Sequence, residues 1–115
     1  MALCSQTALN GYSIMWLYVM FDLPVETKRQ RKAATRFRKD LLKDGFAMHQ
    51  FSVYVRHCAS EESAGVHIGR VKTMVPEEGL VSILKVTDKQ FGNTIRFVGR
   101  KTQPPPQTPK QLELF

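Results

Sequence analysis

Asp22 is an acidic residue in a position where it could do chemistry. It follows residues 14–21, which are apolar on both alternating faces, as is typical of a strand covered on both sides. Pro24 ends that strand. The Asp22 carboxylate has two interpretations: it accepts backbone N–H bonds of the turn, or it faces a second copy of itself across a two-fold axis.

The second interpretation predicts a metal site. Two facing Asp22 carboxylates repel unless a cation or a shared proton lies between them, and a hard, hydrated Mg²⁺ suits that place. A divalent cation held by only two carboxylates keeps several waters, so we expect it to be bound weakly between the two protomers. One of those waters could attack a phosphodiester, which makes Asp22 both the metal ligand and the catalytic residue.

The second group of candidate residues is basic. The 115-residue chain has 17 Lys and Arg against 10 Asp and Glu, and eight basic and three acidic side chains in residues 26–44 supply +5 of the net charge of +7. A basic domain attracts phosphate polymers whatever its fold. A solvated helix face is the alternative, but the density of the run favours binding of phosphates. The predicted nucleic-acid-binding residues are Lys28, Arg29, Arg31, Lys32, Arg36, Lys39 and Lys43.

These basic residues lie in a segment that carries the signals of a helix. Thr27 and Gln30 have the spacing of a capping box, and Gly45 follows as a stop. Steps of about 100° per residue put an apolar face on one side of the helix and a basic stripe on the other. Phe37 falls on the apolar face, so the pattern favours backbone contacts with a duplex over stacking on single strands.

The remaining segments predict the fold. Residues 46–58 are strand-like with a bend near 50–52, Ser60 begins a second helix that ends before Pro76, residues 80–86 form another strand, and residues 94–98 a short one. The order strand, helix, strand, strand, helix, strand predicts an α+β, ferredoxin-like split βαβ fold. We expect a four-stranded antiparallel sheet with two helices on one face.

The other face of this sheet predicts a partner. Trp16, Tyr18 and Met20 alternate with the residues that face the helices, and two helices cover only one face. The uncovered face would expose aromatic side chains, so we expect a face-to-face homodimer. A monomer with exposed aromatics would instead indicate a generic RNA-binding module.

The chain is expected to have three parts. Residues 1–13 are uncharged and read as a disordered extension, residues 14–101 as the folded domain, and residues 102–115 as a Pro-rich arm. The tip of the arm alternates in polarity, which predicts either docking on a sheet edge or a frayed hydrophilic tail. The candidate docking residues are Leu112, Leu114 and Phe115.

Composition excludes several classes of protein. The longest apolar stretch is far shorter than the ~20 residues of a membrane span, and the uncharged start lacks the basic region of a signal peptide. Two cysteines cannot build a disulfide scaffold, and His49, His57, His67 and Cys58 have no standard zinc spacing. We therefore expect a soluble cytoplasmic protein that does not associate with a membrane.

Four motifs occur together in one known family. They run from Tyr18 to Pro24 (YVMFDLP), from Phe37 to Phe46, from Met48 to Arg56 (MHQFSVYVR) and from Lys85 to Phe91 (KVTDKQF). With these motifs the sequence resembles the CRISPR-associated Cas-two family, and most of all its members from type II systems. The resemblance covers about residues 15–100.

The resemblance implies a ferredoxin-like homodimer in the cytoplasm of a prokaryote. Such a dimer bridges two dimers of the Cas-one integrase and holds protospacer and CRISPR repeat double-stranded DNA during spacer acquisition. Arg29 and Arg31 match basic positions of the family's first helix. The family's C-terminal strand adds to the partner's sheet or contacts the integrase, which fits the alternating tip.

The resemblance also implies a metal-dependent endonuclease acting on RNA or DNA. Asp22 then stands at the position of the family's Mg²⁺ ligand. Phe21 replaces a tyrosine present in many relatives, and Met48 replaces a basic residue present in some, and both departures count against nuclease activity. We therefore take a non-catalytic adaptor as the leading hypothesis and the Mg²⁺-dependent endonuclease as the alternative.

Overall fold

The computed structural model describes residues 14–104, apart from the side chains of residues 101–103. One antiparallel sheet has four strands in the order β2-β3-β1-β4, and a separate two-stranded sheet pairs β5 with β6. The strands are β1 (Met15–Asp22), β2 (Ala47–Gln50), β3 (Val53–Cys58), β4 (Leu80–Thr87), β5 (Arg96–Val98) and β6 (Lys101–Gln103), and the helices are α1 (Lys28–Lys43), α2 (Glu61–Met74) and α3 (Asp88–Gly92).

Strand β1 is the centre of the main sheet. It pairs with β3 on one side and along its whole length with β4 on the other, where Asp22 lies opposite Leu80. Its odd-numbered residues pack against α1 and α2, and Leu17 and Val19 have no exposed surface. The structure confirms the predicted ferredoxin-like sheet, whose core contains Met15, Leu17, Val19, Phe21, Phe37, Leu41, Phe46, Tyr54, Cys58, Ala64 and Val71.

Both long helices begin where the sequence predicted. The Thr27 hydroxyl accepts the Gln30 N–H at 3.1 Å, and the Gln30 side chain accepts the Thr27 N–H at 3.0 Å. The Ser60 hydroxyl accepts the Ser63 N–H at the start of α2. These bonds satisfy donors that the first turn of a helix leaves unpaired.

The bend predicted near residues 50–52 is confirmed. The register between β2 and β3 shifts between Met48 and Gln50, and Ser52 has a left-handed backbone with φ 67°. The Ser52 carbonyl accepts the Phe21 N–H at 3.0 Å, which fastens this turn to the end of β1.

Helix α3 was not predicted, and it corrects the expectation about the second face of the sheet. Phe91 of α3 stacks on Trp16 with ring centroids 3.7 Å apart, and Asp88 accepts a hydrogen bond of 2.6 Å from the Trp16 indole N–H. Trp16 is therefore only 4% exposed. The prediction that this face exposes Trp16 is wrong because the chain's own short helix covers it.

The end of the described chain also differs from the expectation. The predicted strand 94–98 shortens to β5, which pairs with β6 outside the main sheet. Strand β6 takes in Thr102 and Gln103, which the sequence assigned to the arm, because the chain turns back at Gly99 with φ 63°.

The predicted extension 1–13 and the tip residues Leu112, Leu114 and Phe115 lie outside the described residues. Among residues 14–104, no helix is long and apolar enough to cross a membrane.

Candidate nucleic-acid interface

Asp22 ends the central strand and is exposed to solvent. Its backbone is held closely, because Gly79 lies against it with φ +106°, and a Cβ on Gly79 would be 2.9 Å from the Asp22 carbonyl oxygen and 2.7 Å from a methyl group of Leu23. Both the backbone conformation and the close contacts therefore disfavour any side chain at position 79. The strand end that carries Asp22 is therefore fixed by the turn before β4.

The Asp22 carboxylate has no hydrogen bond or ion pair with any residue in the described range 14–104. The turn-capping interpretation therefore finds no support in that part of the chain. Within the same range, no three His, Cys, Asp or Glu side chains are grouped so that they could hold a metal ion. The residues of one described chain thus do not fit a Mg²⁺ site, and the predicted site depends on a second copy.

A basic stripe runs along the solvent side of α1. Its side chains are exposed and line a shallow depression of about 540 Å³ together with Thr35 and Asp40. At a rise of about 1.5 Å per residue, the stripe is ~22 Å long. It consists of Lys28, Arg31, Lys32, Arg36, Lys39 and Lys43.

Little of this positive charge is neutralised. Arg36 approaches Asp40 only to 4.0 Å across an exposed surface, where an ion pair contributes little. The four lysines of the stripe have no ion pair with any side chain that the structure describes. The stripe is therefore available to an external polyanion.

Two predicted binding residues behave differently from the rest. Arg31 belongs to the stripe, but its guanidinium also donates to the backbone carbonyls of Val25 and Glu26 at 3.1 Å, so it fixes the loop before α1. Arg29 lies 3.7 Å from Glu77 and lines a separate pocket of about 170 Å³. The structure thus groups Arg29 with the loop before β4.

Phe51 was not among the predicted site residues. It lies in the β2–β3 turn, and its ring is 4.7 Å from the guanidinium of Arg38. The same guanidinium lies 5.5 Å from the ring of Phe21. No periodic signal in the helix could have revealed this pair, because its aromatic member comes from a turn 13 residues further along the chain.

A buried polar cluster joins the C-terminal end of α1 to α2. The Asp44 carboxylate accepts a bond from Arg70 at 2.8 Å and lies 2.7 Å from Nδ1 of His67. Burial raises the pKa of Asp44, but the hydrogen bonds and charges of Arg70 and His67 outweigh burial and hold the pKa below its ordinary value. His67 is therefore part of a structural cluster.

The second face of the sheet carries an open groove of about 520 Å³ between the main sheet and the β5 hairpin. His49 lines the groove, and burial and the nearby Arg96 lower the pKa of its imidazole. Several apolar side chains on its walls are exposed, notably Leu84, Ile95 and Phe97. The groove is lined by Tyr18, Met20, His49, Gln50, Val53, Leu84, Thr94, Ile95, Arg96 and Phe97.

Comparison with known proteins identifies the family. The family profile described as CRISPR-associated protein Cas2 matches residues 15–94. The chain belongs to this family. The Cas-two resemblance of the sequence is thereby confirmed.

Individual Cas2 relatives match over nearly the whole chain. A protein named CRISPR-associated endoribonuclease Cas2 from Parvibaculum lavamentivorans is 56% identical over 101 residues, which cover 88% of this chain and all of the relative. A protein of the same name from Flavobacterium psychrophilum is 50% identical over 109 residues, 95% of each chain. A structure titled "Crystal structure of cas2" superimposes with a TM-score of 0.55 at 27% identity and covers 84% of this chain and 99% of its own.

Proposed function

We propose that this Cas2 protein is a CRISPR adaptation protein that holds double-stranded DNA and acts as a non-catalytic adaptor during spacer acquisition. The observation that carries the proposal is the basic stripe on α1. Its charges are exposed and almost unpaired in the described structure, and they lie on one continuous surface. A polyanion is the ligand that such a surface fits best.

The dimensions of the stripe suit a duplex. The rise of a duplex is about 3.4 Å per base pair, so a stripe of ~22 Å spans the axial length of roughly six base pairs. The stripe lies on a rigid helix that is capped at its start and packed along its other face on the sheet. Contacts with phosphates position a duplex but do not read its base sequence, which suits an adaptor that holds DNA of varied sequence.

The adaptor is proposed to act as a homodimer that uses the second face of the sheet. Trp16 is covered by the chain itself, but Leu84, Ile95 and Phe97 remain 50%, 75% and 64% exposed around the groove. A second copy would bury these apolar side chains and place two basic stripes on one particle.

The remaining partner in the proposal is the Cas-one integrase, with residues Leu112, Leu114 and Phe115 as its contact. The experiment compares full-length protein with a chain truncated after Pro104 and with a variant in which Lys32, Arg36 and Lys39 are replaced by alanine. We expect the truncated chain to lose copurification with the integrase and the alanine variant to lose spacer integration while retaining the integrase. Integration at the normal rate by the alanine variant would refute the adaptor function.

An Mg²⁺-dependent endonuclease is the second candidate. It is favoured by the name endoribonuclease that the relatives carry and by the exposed, unpaired Asp22 carboxylate. Since the described part of one chain does not form a metal site, this activity would require Asp22 from two copies. Asp22→Asn should abolish Mg²⁺-dependent cleavage of RNA or DNA and leave integration intact, and cleavage that survives the substitution would exclude Asp22 as the catalytic residue.

A further inference from the structure

Phe51 is 77% exposed, the highest value among the large apolar residues of the described structure. One face of the ring is backed by the Arg38 guanidinium at 4.7 Å. An aromatic ring backed by a cation and open to solvent on its other side can accept another flat ring by stacking.

Arg38 is held in place without an anion. Its guanidinium lies over the Phe21 ring at 5.5 Å and over the Phe51 ring at 4.7 Å, and its Nε atom is buried with no hydrogen-bond partner. No carboxylate in the described residues forms an ion pair with it. Its charge is therefore not neutralised by these residues and remains available to a phosphate nearby.

The Phe51–Arg38 pair borders the basic stripe. Arg38 follows Arg31 by seven residues, two turns of the helix, so both lie on the same side of α1. The turn that carries Phe51 is fixed by the Phe21 N–H bond to Ser52 and by the left-handed backbone of Ser52. Such backbone conformations persist where the surrounding structure holds them, and they are frequent at functional sites.

We propose that Phe51 and Arg38 form a stacking site for one unpaired nucleobase of a strand whose phosphates lie on the basic stripe. The ring of Phe51 stacks on the base, and Arg38 supports the ring and attracts the adjoining phosphate. The inference rests on the proposed function, because it requires nucleic acid on the stripe. It narrows the ligand to a duplex with a single-stranded extension or to a single strand.

The experiment compares affinities for two DNAs with the same duplex length, one blunt and one with a short extension that contains 2-aminopurine. Phe51→Ala should weaken binding of the extended DNA about tenfold, as expected for loss of base stacking, and should change binding of the blunt duplex less than about twofold. Phe51→Trp should retain the affinity and the quenching of 2-aminopurine fluorescence. Val66→Ala, which removes another exposed apolar side chain on the far helix, is the matched control and should have no effect.

Other results would overturn the stacking site. An equal loss for both DNAs, or no loss for the extended DNA, would exclude it. Full affinity for the extended DNA in Phe51→Leu would mean that an apolar contact suffices and that base stacking does not contribute. If Phe51→Ala is silent while the alanine variant of Lys32, Arg36 and Lys39 loses the blunt duplex, only the stacking site fails. If the wild type binds the extension through Phe51 but does not bind the blunt duplex, the proposed duplex adaptor fails and the stacking site stands.

Discussion

The carboxylate of Asp44, at the end of α1, lies 2.7 Å from Nδ1 of His67 in α2. The same carboxylate binds Arg70, and the Asp44 backbone carbonyl accepts the Arg56 Nε–H of β3 at 2.8 Å. The side chains of Asp44 and His67 are only 6% and 8% exposed. One residue therefore joins both long helices and a strand of the sheet that supports the basic stripe.

This cluster predicts a loss of stability in acid. The pKa of Asp44 is lowered in the folded chain, so its contribution is fully present above the unfolded pKa of about 3.9 and is lost as the pH falls through the folded pKa. Asp44→Asn should lower the free energy of unfolding at pH 7 by about 2 kcal/mol. Urea unfolding at pH 7 and pH 2 should show that the difference from wild type shrinks in acid. Asp40→Asn, which removes only the exposed 4.0 Å pair with Arg36, serves as the control, and a difference that is equal at both pH values would contradict the assignment.

Two glycine substitutions test how the strand end that carries Asp22 is held, one at the strand end and one for comparison in α2. Gly79→Ala should lower the free energy of unfolding by about 1–3 kcal/mol, because its φ of +106° disfavours a side chain and the new Cβ would meet Asp22 and Leu23. Gly69→Ala, in the middle of α2 with nothing within 4 Å of the new Cβ, should raise it by about 0.5–1 kcal/mol. Thermal unfolding of both variants measures these changes in stability. If Gly79→Ala is as stable as the wild type, the close approach of residue 79 to Asp22 and Leu23 does not require glycine.

The packing of helix α3 on the sheet can be tested by the fluorescence of Trp16, the single tryptophan of the chain. Phe91→Ala removes the stacked ring, so the indole should become exposed and its fluorescence should shift to longer wavelength. The free energy of unfolding should fall by about 3 kcal/mol. Phe51→Ala makes the same change at an exposed ring and should leave the emission unchanged, whereas an unshifted spectrum in Phe91→Ala would mean that α3 does not cover Trp16.

If the protein forms the proposed dimer, a charged side chain introduced beside the groove should reduce the mass of the particle from that of a dimer to that of a monomer. Leu84→Glu places a carboxylate on the exposed part of β4 beside the groove, where a second copy would remove it from water. Sedimentation at micromolar concentration should show a dimer for wild type and a monomer for Leu84→Glu. Val66→Glu, on the opposite layer of the fold, should remain dimeric, and a monomeric wild type would remove the dimer from the proposal.

Much of the fold was predictable because local signals agreed with the packing. Thr27, Gln30 and Ser60 indicate where the two long helices begin, and the apolar run around Leu17 predicts the central strand. Helix α3 carries the same Thr-x-x-Gln signal at Thr87, where the Thr87 and Gln90 side chains form a capping box. It was missed because its five residues are too few for a periodic pattern.

The candidate site was less predictable because its contacts are between distant segments. The spacing of the basic residues in α1 placed the stripe correctly, since that relationship is local to one helix. Arg29 was predicted to bind nucleic acid from its place in the basic run, but in the folded chain it lies 3.7 Å from Glu77 in the loop before β4. The pairing of Phe51 with Arg38 depends on the turn between β2 and β3 and on its bond to β1, which no local pattern encodes.

If the basic stripe binds nucleic acid phosphates, the salt dependence of duplex binding depends on its charges. Replacement of Lys32, Arg36 and Lys39 by alanine should weaken binding and reduce the slope of log affinity against log salt by roughly 0.9 for each lost phosphate contact, about 2.7 in all. Replacement of Lys72, Lys85 and Arg100, which removes the same charge elsewhere, should leave the slope nearly unchanged. A slope that is equal in the wild type and the stripe variant would show that the stripe does not bind the phosphates of the duplex.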